Sequence, residues 1–97
     1  MIIVHNRFVC KPGNAGKLAK MFKELLSIDK SILYIMTDMT GPWHQVISVS
    51  QYKSLADYEK SLKKWSKPDP KMQKMNEKFA NMNEMYVSGS REIYKVW

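Results

Sequence analysis

One cysteine, Cys10, is all the thiol this chain carries, so no internal disulfide can form and a reducing compartment is expected. No apolar run approaches the ~20 residues needed to cross a bilayer. Nor does a charged start lead into an apolar core of the kind that marks export, so a cytoplasmic protein that does not engage a membrane is expected. Histidine is scarce as well. His5 and His44 stand in no H-x-H or H-E-x-x-H pattern, with no cysteine or carboxylate at ligand spacing, and no metal site or other cofactor is expected. Arginine is rarer than the charge suggests, since fourteen of the sixteen basic residues are lysine and only Arg7 and Arg91 are arginine. Base reading and forked phosphate grips favour arginine. No RNA-recognition, zinc-finger or helix-turn-helix pattern is present, and the sequence argues against nucleic acid as a partner.

What remains is an ordinary folded composition. Ninety-seven residues make one domain, 1–97, with 44% hydrophobic residues and no low-complexity segment. The net charge of +7 is spread among acids in "KLAKMFKELL" and "YEKSLKKWSK", the pattern of solvated helix faces. Recruitment of an anionic ligand is the other reading of that charge.

Hydrophobic spacing gives the elements. Ile2–Val9 reads as a strand, broken by "KPGNAG", where Pro12 cannot donate to a ladder. Asn14 is a fair N-cap for a helix over Ala15–Ile28, with Leu18, Phe22, Leu25 and Leu26 on its apolar face. Ile32–Met39 and Trp43–Tyr52 predict a hairpin around Thr40-Gly41-Pro42. Ser54 caps a second helix with a stripe of Leu55, Tyr58, Leu62 and Trp65. Lys67-Pro68-Asp69-Pro70 interrupts it, and Asp69 with Pro70 restarts it. Met72, Met75, Phe79, Met82 and Tyr86 then mark one helical face, Ser88-Gly89 ends it, and "REIYKVW" is the last strand. The order βαββαβ is the α+β, ferredoxin-like arrangement: a four-stranded antiparallel sheet with helices on one face.

A two-layer fold needs one apolar sheet face, and this sequence offers two. Ile2, Val4 and Phe8 share one parity in the first strand, Ile3 and Val9 the other. Ile32 and Met36 oppose Leu33, Ile35 and Met39 in the second strand; Ile47 and Val49 oppose Val46 and Tyr52 in the third. Each such side chain is worth about 1.5–3 kcal/mol on burial. A chain this small has only about 5–15 kcal/mol of margin. Pressing the uncovered face onto an identical copy is the cheapest solution, so a homodimer through the sheet is expected.

With these elements in place, "NRFVCKPGNAGKL", "TDMTGPWHQVISVSQYKSLADYEKSL" and the terminal "SGSREIYKVW" resemble the dimeric α/β barrel superfamily, and most of all its antibiotic-biosynthesis-monooxygenase-like and NIPSNAP-like members. The likeness covers nearly the whole chain. It implies a sheet-to-sheet dimer and a cavity in each subunit between sheet and helices. It does not fix an activity, because the superfamily holds cofactor-free oxygenases, haem-degrading enzymes, isomerases and ligand sensors. Asn6-Arg7 matches a dipeptide that faces the cavity in the haem-degrading branch and in some quinone-forming monooxygenases. The haem branch also implies a tryptophan where this chain has Ser61, with Trp65 one turn beyond, and a histidine where "KMQKMNEKF" has none. Haem breakdown of that type is therefore set aside.

The candidate site residues follow. Asn6 shares parity with Val4 and Phe8, so it sits on the cavity side if that face meets the helices; it would hold a substrate carbonyl or phenolate, or simply bond a helix-end backbone group. His44 is a second candidate for catalysis as a general base. Tyr34, Trp65, Tyr94 and Phe22 are candidate walls for a flat aromatic ligand, or core. His5 and Arg7 face the expected dimer interior, Arg7 pairing with Asp38 or Glu92. The expected function is binding of an apolar or aromatic small molecule, with cofactor-independent oxygenation as its chemistry; a non-catalytic binding module is the alternative.

Overall fold

Ile2, Ile3 and Val4 suit the pleated surface of a sheet, and strand β1 runs over Ile2–Cys10. The structure is a computed structural model and describes residues 1–41, 43–67 and 69–97. Helix α1 (Ala15–Lys23) follows, then β2 (Ile32–Thr37), β3 (Gln45–Tyr52), α2 (Leu55–Ser66), α3 (Pro70–Lys78) and β4 (Tyr86–Lys95). The strands form one antiparallel sheet in the order β2-β3-β1-β4, the ferredoxin-like topology.

Two helix starts form as their sequences predict. Ser54 Oγ accepts from Asp57 N at 3.3 Å, and Asp69 Oδ1 accepts from Met72 N at 2.9 Å with Pro70 in the first turn. Asn14 occupies the N-cap of α1, but its side chain makes no capping bond; its carbonyl takes Leu18 N at 2.9 Å. The first helix is also shorter than Ala15–Ile28. It tightens into a 3₁₀ turn over Glu24–Ser27, and Ile28 N and Asp29 N both donate to Leu25 O, at 3.1 and 2.8 Å. Those bonds satisfy a carbonyl that would otherwise end free.

The hairpin is looser than its Gly-Pro signal suggests. Its strands stop at Thr37 and resume at Gln45, because Asp38 Oδ1 accepts from Gln45 N at 3.0 Å and closes the ladder early. Gly41 and His44 take left-handed backbone angles in the connection, and Pro42 lies outside the described residues. At the other end of the chain, α3 stops at Lys78 and a short 3₁₀ turn covers Met82–Glu84. Tyr86 is therefore not helical but opens β4, opposite Cys10, and Ser88-Gly89 lies inside the strand rather than ending a helix. Gly89 faces Phe8, and a Cβ there would meet Arg7 O at 3.4 Å and the Phe8 ring at 3.6 Å. An edge strand tolerates such residues because half its backbone needs no partner.

A bulge corrects the parity of β2. The register skips Leu33, so Ile32 pairs with Ser50 and Ile35 with Ser48 on the helix side. Tyr34 and Met36 pair with Val49 and Ile47 on the outer face. Ile32 and Met36 thus part company, and Ile32 joins Ile35.

Packing does not fill all of the space between sheet and helices. Cys10, Leu18, Phe22 and Val46 form the buried cluster, with Phe8, Ile35, Phe79, Met82 and Tyr86 packed against it. Leu18 and Val46 are wholly inaccessible. Burial raises the Cys10 thiol pKa, so this sulfur is an inert packing group. None of the helices is long and apolar enough to cross a membrane, among the described residues.

Candidate functional site

Where the core stops, a pocket of about 340 Å³ begins. Its boundary with the core is aromatic: Phe8 of β1, Phe22 of α1 and Phe79 after α3 line the pocket and pack on the cluster. Phe22 meets Phe8 at 5.1 Å and Phe79 edge-on at 6.0 Å between ring centres. Ile32, Leu25 and Met82 extend that wall, while Tyr58, Leu62 and Trp65 bring one face of α2 over the top. The i, i+4, i+7 spacing of the α2 residues is what aims them together.

The floor is polar, and it is built by strand register. Asn6 of β1 lies between Ser48 of β3 and Arg91 of β4. All three line the pocket. Arg91 Nε donates to Asn6 Oδ1 at 2.8 Å, which leaves the Asn6 amide N–H groups without an acceptor among the described residues. The guanidinium also lies over the Tyr58 ring, 5.7 Å from its centre. Tyr58 is 8% exposed, and its buried hydroxyl has no hydrogen-bond partner among the described residues.

At the pocket's mouth runs a chain of hydroxyls. Ser31 Oγ donates to Asp29 Oδ1 at 2.5 Å and lies 3.1 Å from the Tyr52 hydroxyl, which is 3.3 Å from Ser61 Oγ. This chain ties the start of β2, the end of β3 and the middle of α2 together. Ser61 is the position where the resemblance implied a tryptophan, and here its small side chain completes that chain. A larger hollow of about 670 Å³ shares Asp29, Tyr52, Ser61 and Trp65 with the pocket. It is lined by Lys30, Lys64 and Lys67 against Asp29, Asp57 and Asp69, a balanced solvated surface rather than a dry site.

The predicted site residues divide between two places. Asn6, Phe22 and Trp65 meet at the pocket. Tyr34 and Tyr94 do not reach it: both stand on the outer face of the sheet, Tyr34 61% exposed on β2 and Tyr94 45% exposed on β4. His44 sits in the β2–β3 connection, where its carbonyl accepts from Cys10 N at 2.7 Å and its ring touches Trp43 edge-on. It lines neither hollow. Among the described residues no three of His, Cys, Asp and Glu gather as a metal site would require.

The outer face carries its own network. Arg7 Nε bonds Glu92 Oε1, the second of its two expected partners, and the Tyr94 hydroxyl donates to Glu92 Oε2 at 2.6 Å. Those two bonds, Tyr94's first, hold the Glu92 carboxyl below its usual pKa. The same bond pushes the Tyr94 phenol up, and bonding to Glu92 raises Arg7. His5 packs edge-on against Tyr94 at 5.3 Å, and its buried Nδ1 has no partner among the described residues.

Two features of the site were missed in the sequence, Arg91 and the hydroxyl chain. Strand parity points to one member of the second, since Tyr52 shares a face with Ser48 and Ser50, while Ser31 and Ser61 join it only in the fold. Arg91 opens the predicted last strand, but nothing local says which face of the sheet it takes until that strand is registered against β1.

No family model matches this sequence, and no curated protein matches it either. Solved structures do. A NIPSNAP family protein from Agrobacterium tumefaciens superposes with a TM-score of 0.78 at 20% identity, over 99% of this chain and 86% of that one. An uncharacterised NIPSNAP domain protein from Burkholderia xenovorans gives 0.80 at 12% identity, over 100% and 95%. An antibiotic biosynthesis monooxygenase candidate from Chloroflexus aurantiacus gives 0.68 at 14%, over 99% and 92%. The resemblance read from the sequence therefore holds as a likeness of fold, and at these identities of fold alone.

Proposed function

We propose that this chain binds a flat, apolar small molecule between its sheet and its helices and works as a homodimer joined through the outer sheet face. The observation that carries the reading is the pocket's construction: phenylalanine, leucine and tryptophan walls around one oriented amide, Asn6. Support for the dimer comes from the outer face, where Tyr34 and Met36 stay exposed beside half-buried Ile3, Val9 and Ile47.

With a phenol or enol bound, the same site supports oxidation by dioxygen without a bound cofactor. In the quinone-forming case the substrate supplies four electrons. One oxygen atom enters the ring as a carbonyl, and the other leaves as water with the phenol and ring hydrogens. Asn6 holds the phenolate oxygen through its free N–H groups, and the aromatic walls keep bulk water out. Similarity of fold to a monooxygenase candidate makes this the chemistry to test first.

A specific observation favours the alternative, a binding module without turnover. Neither histidine lines the pocket, and the one carboxylate that does, Asp29, is already held by Ser31 N at 3.0 Å and Ser31 Oγ. Oxygen uptake with polycyclic phenols and quinols separates the two, with binding followed in parallel by tryptophan fluorescence. Uptake that Asn6→Ala abolishes supports the oxygenase. Binding without uptake leaves the module, and absence of binding across the panel overturns the pocket reading.

A further inference from the structure

We infer that the pocket selects a monocarboxylate, an aromatic acid whose carboxyl group is taken by Arg91 and Tyr58; this rests on the pocket reading above and names its ligand class. The two arginines of the chain have opposite fates. Arg7, on the outer face, is neutralised by Glu92. Arg91, on the inner face, has no carboxylate within ion-pair distance among the described residues. Its side chain is nevertheless held in place: Nε donates to Asn6, and the cation lies over the Tyr58 ring. That geometry commits one edge of the guanidinium to the floor and leaves the terminal N–H groups for a ligand.

Tyr58 supplies an independent sign. A hydroxyl on a side chain more than nine-tenths buried is rarely left without a partner, and this one lines the same pocket as Arg91 and Asn6. A carboxylate accepts from a guanidinium fork and a phenol together, and such charge-assisted bonds are about twice as strong as neutral ones. Arg91 is the one cationic side chain lining the pocket among the described residues, and Asp29, the one carboxylate lining it, is already bonded by Ser31 N and Ser31 Oγ. The nearest lysines, Lys30, Lys64 and Lys67, line the adjoining hollow and not this pocket, and they face Asp29, Asp57 and Asp69 there. A phosphate dianion would find too little positive charge. The aromatic walls opposite the floor then receive the ring that carries the carboxyl group.

The test compares 2-naphthoate and 4-biphenylcarboxylate with their neutral amides by calorimetry near pH 7, on wild type, Arg91→Gln and Tyr58→Phe. The expected result is tighter binding of each acid than of its amide, by about tenfold or more. Arg91→Gln is expected to erase that preference, and Tyr58→Phe to reduce it. The thermal midpoint of each variant reports that it is folded. Equal binding of acid and amide by wild type overturns the inference and leaves the pocket reading standing, as does an acid preference that survives Arg91→Gln. Failure of all four probes to bind overturns both.

Discussion

Arg7 and Glu92 pair on the reverse side of the two strands that hold Asn6 and Arg91, one residue further along each chain. One pair of neighbouring strands thus carries a neutralised arginine outward and an unneutralised one inward. The outer pair makes stability depend on pH at both ends of the scale. A carboxyl with a depressed pKa contributes stability that is present above its unfolded pKa and lost as pH falls through the folded one. A phenol with a raised pKa contributes stability that is present below its unfolded value and lost as pH rises through the folded one. Glu92 and Tyr94 stand in those two positions, their shared hydrogen bond being the first cause of both shifts and the Arg7 bond adding to that of Glu92. Glu92→Gln is therefore expected to flatten the acid and the alkaline limbs together, measured as thermal midpoint against pH. An unchanged alkaline limb would sink this linkage.

The core is small, so its centre is sensitive. Leu18 is wholly buried against Phe22, Cys10 and Val46. Leu18→Ala is expected to destabilise the fold by about 2–5 kcal/mol, read from urea denaturation. Loss below about 1 kcal/mol would mean that the helix–sheet seam is not the core described here.

Three tryptophans differ in surroundings: Trp43 is 80% exposed, Trp97 fully so, and Trp65 lines the pocket. An aromatic ligand is expected to quench one component of the emission and to leave the red-shifted remainder. Trp65→Phe removes that component, and Trp65→Ala weakens binding roughly tenfold through the lost wall. Quenching that persists in Trp65→Phe would place the ligand elsewhere.

Charge on the outer face tests the assembly. Tyr34→Glu with Met36→Lys is expected to convert a dimer into a species near 11.4 kDa by light scattering, with the helix-side pocket unaffected. A wild-type mass already near 11.4 kDa would remove the dimer from the proposal.

Much of the fold was legible because its signals are local. The alternation of Val4, Asn6 and Phe8 placed an amide on the helix side, and the spacing of Leu18 and Phe22 pointed α1 toward it. Ser54 and Asp69 announced their helices by cap chemistry alone. What escaped depended on partners distant in sequence. Tyr86, Ser88 and Gly89 look like the end of a helix until β1 supplies the ladder that makes them a strand. Tyr94 and Arg91 could not be assigned to faces before that register was known. Tyr34 is a candidate wall on its aromatic chemistry alone, and the unpaired residue that turns it to the outer face leaves no mark in composition.

That unpaired residue, Leu33, gives chain length a say in which surface a side chain serves. Were the same residues paired without the bulge, Leu33 would take the place opposite Ser50 and Ile32 would swing from the helix side to the outer side, with no change in the chemistry of any neighbour. Within this architecture, insertions and deletions can remodel the cavity lining as effectively as substitutions do, and an alignment that places a gap one step away would attribute the wrong residues to it.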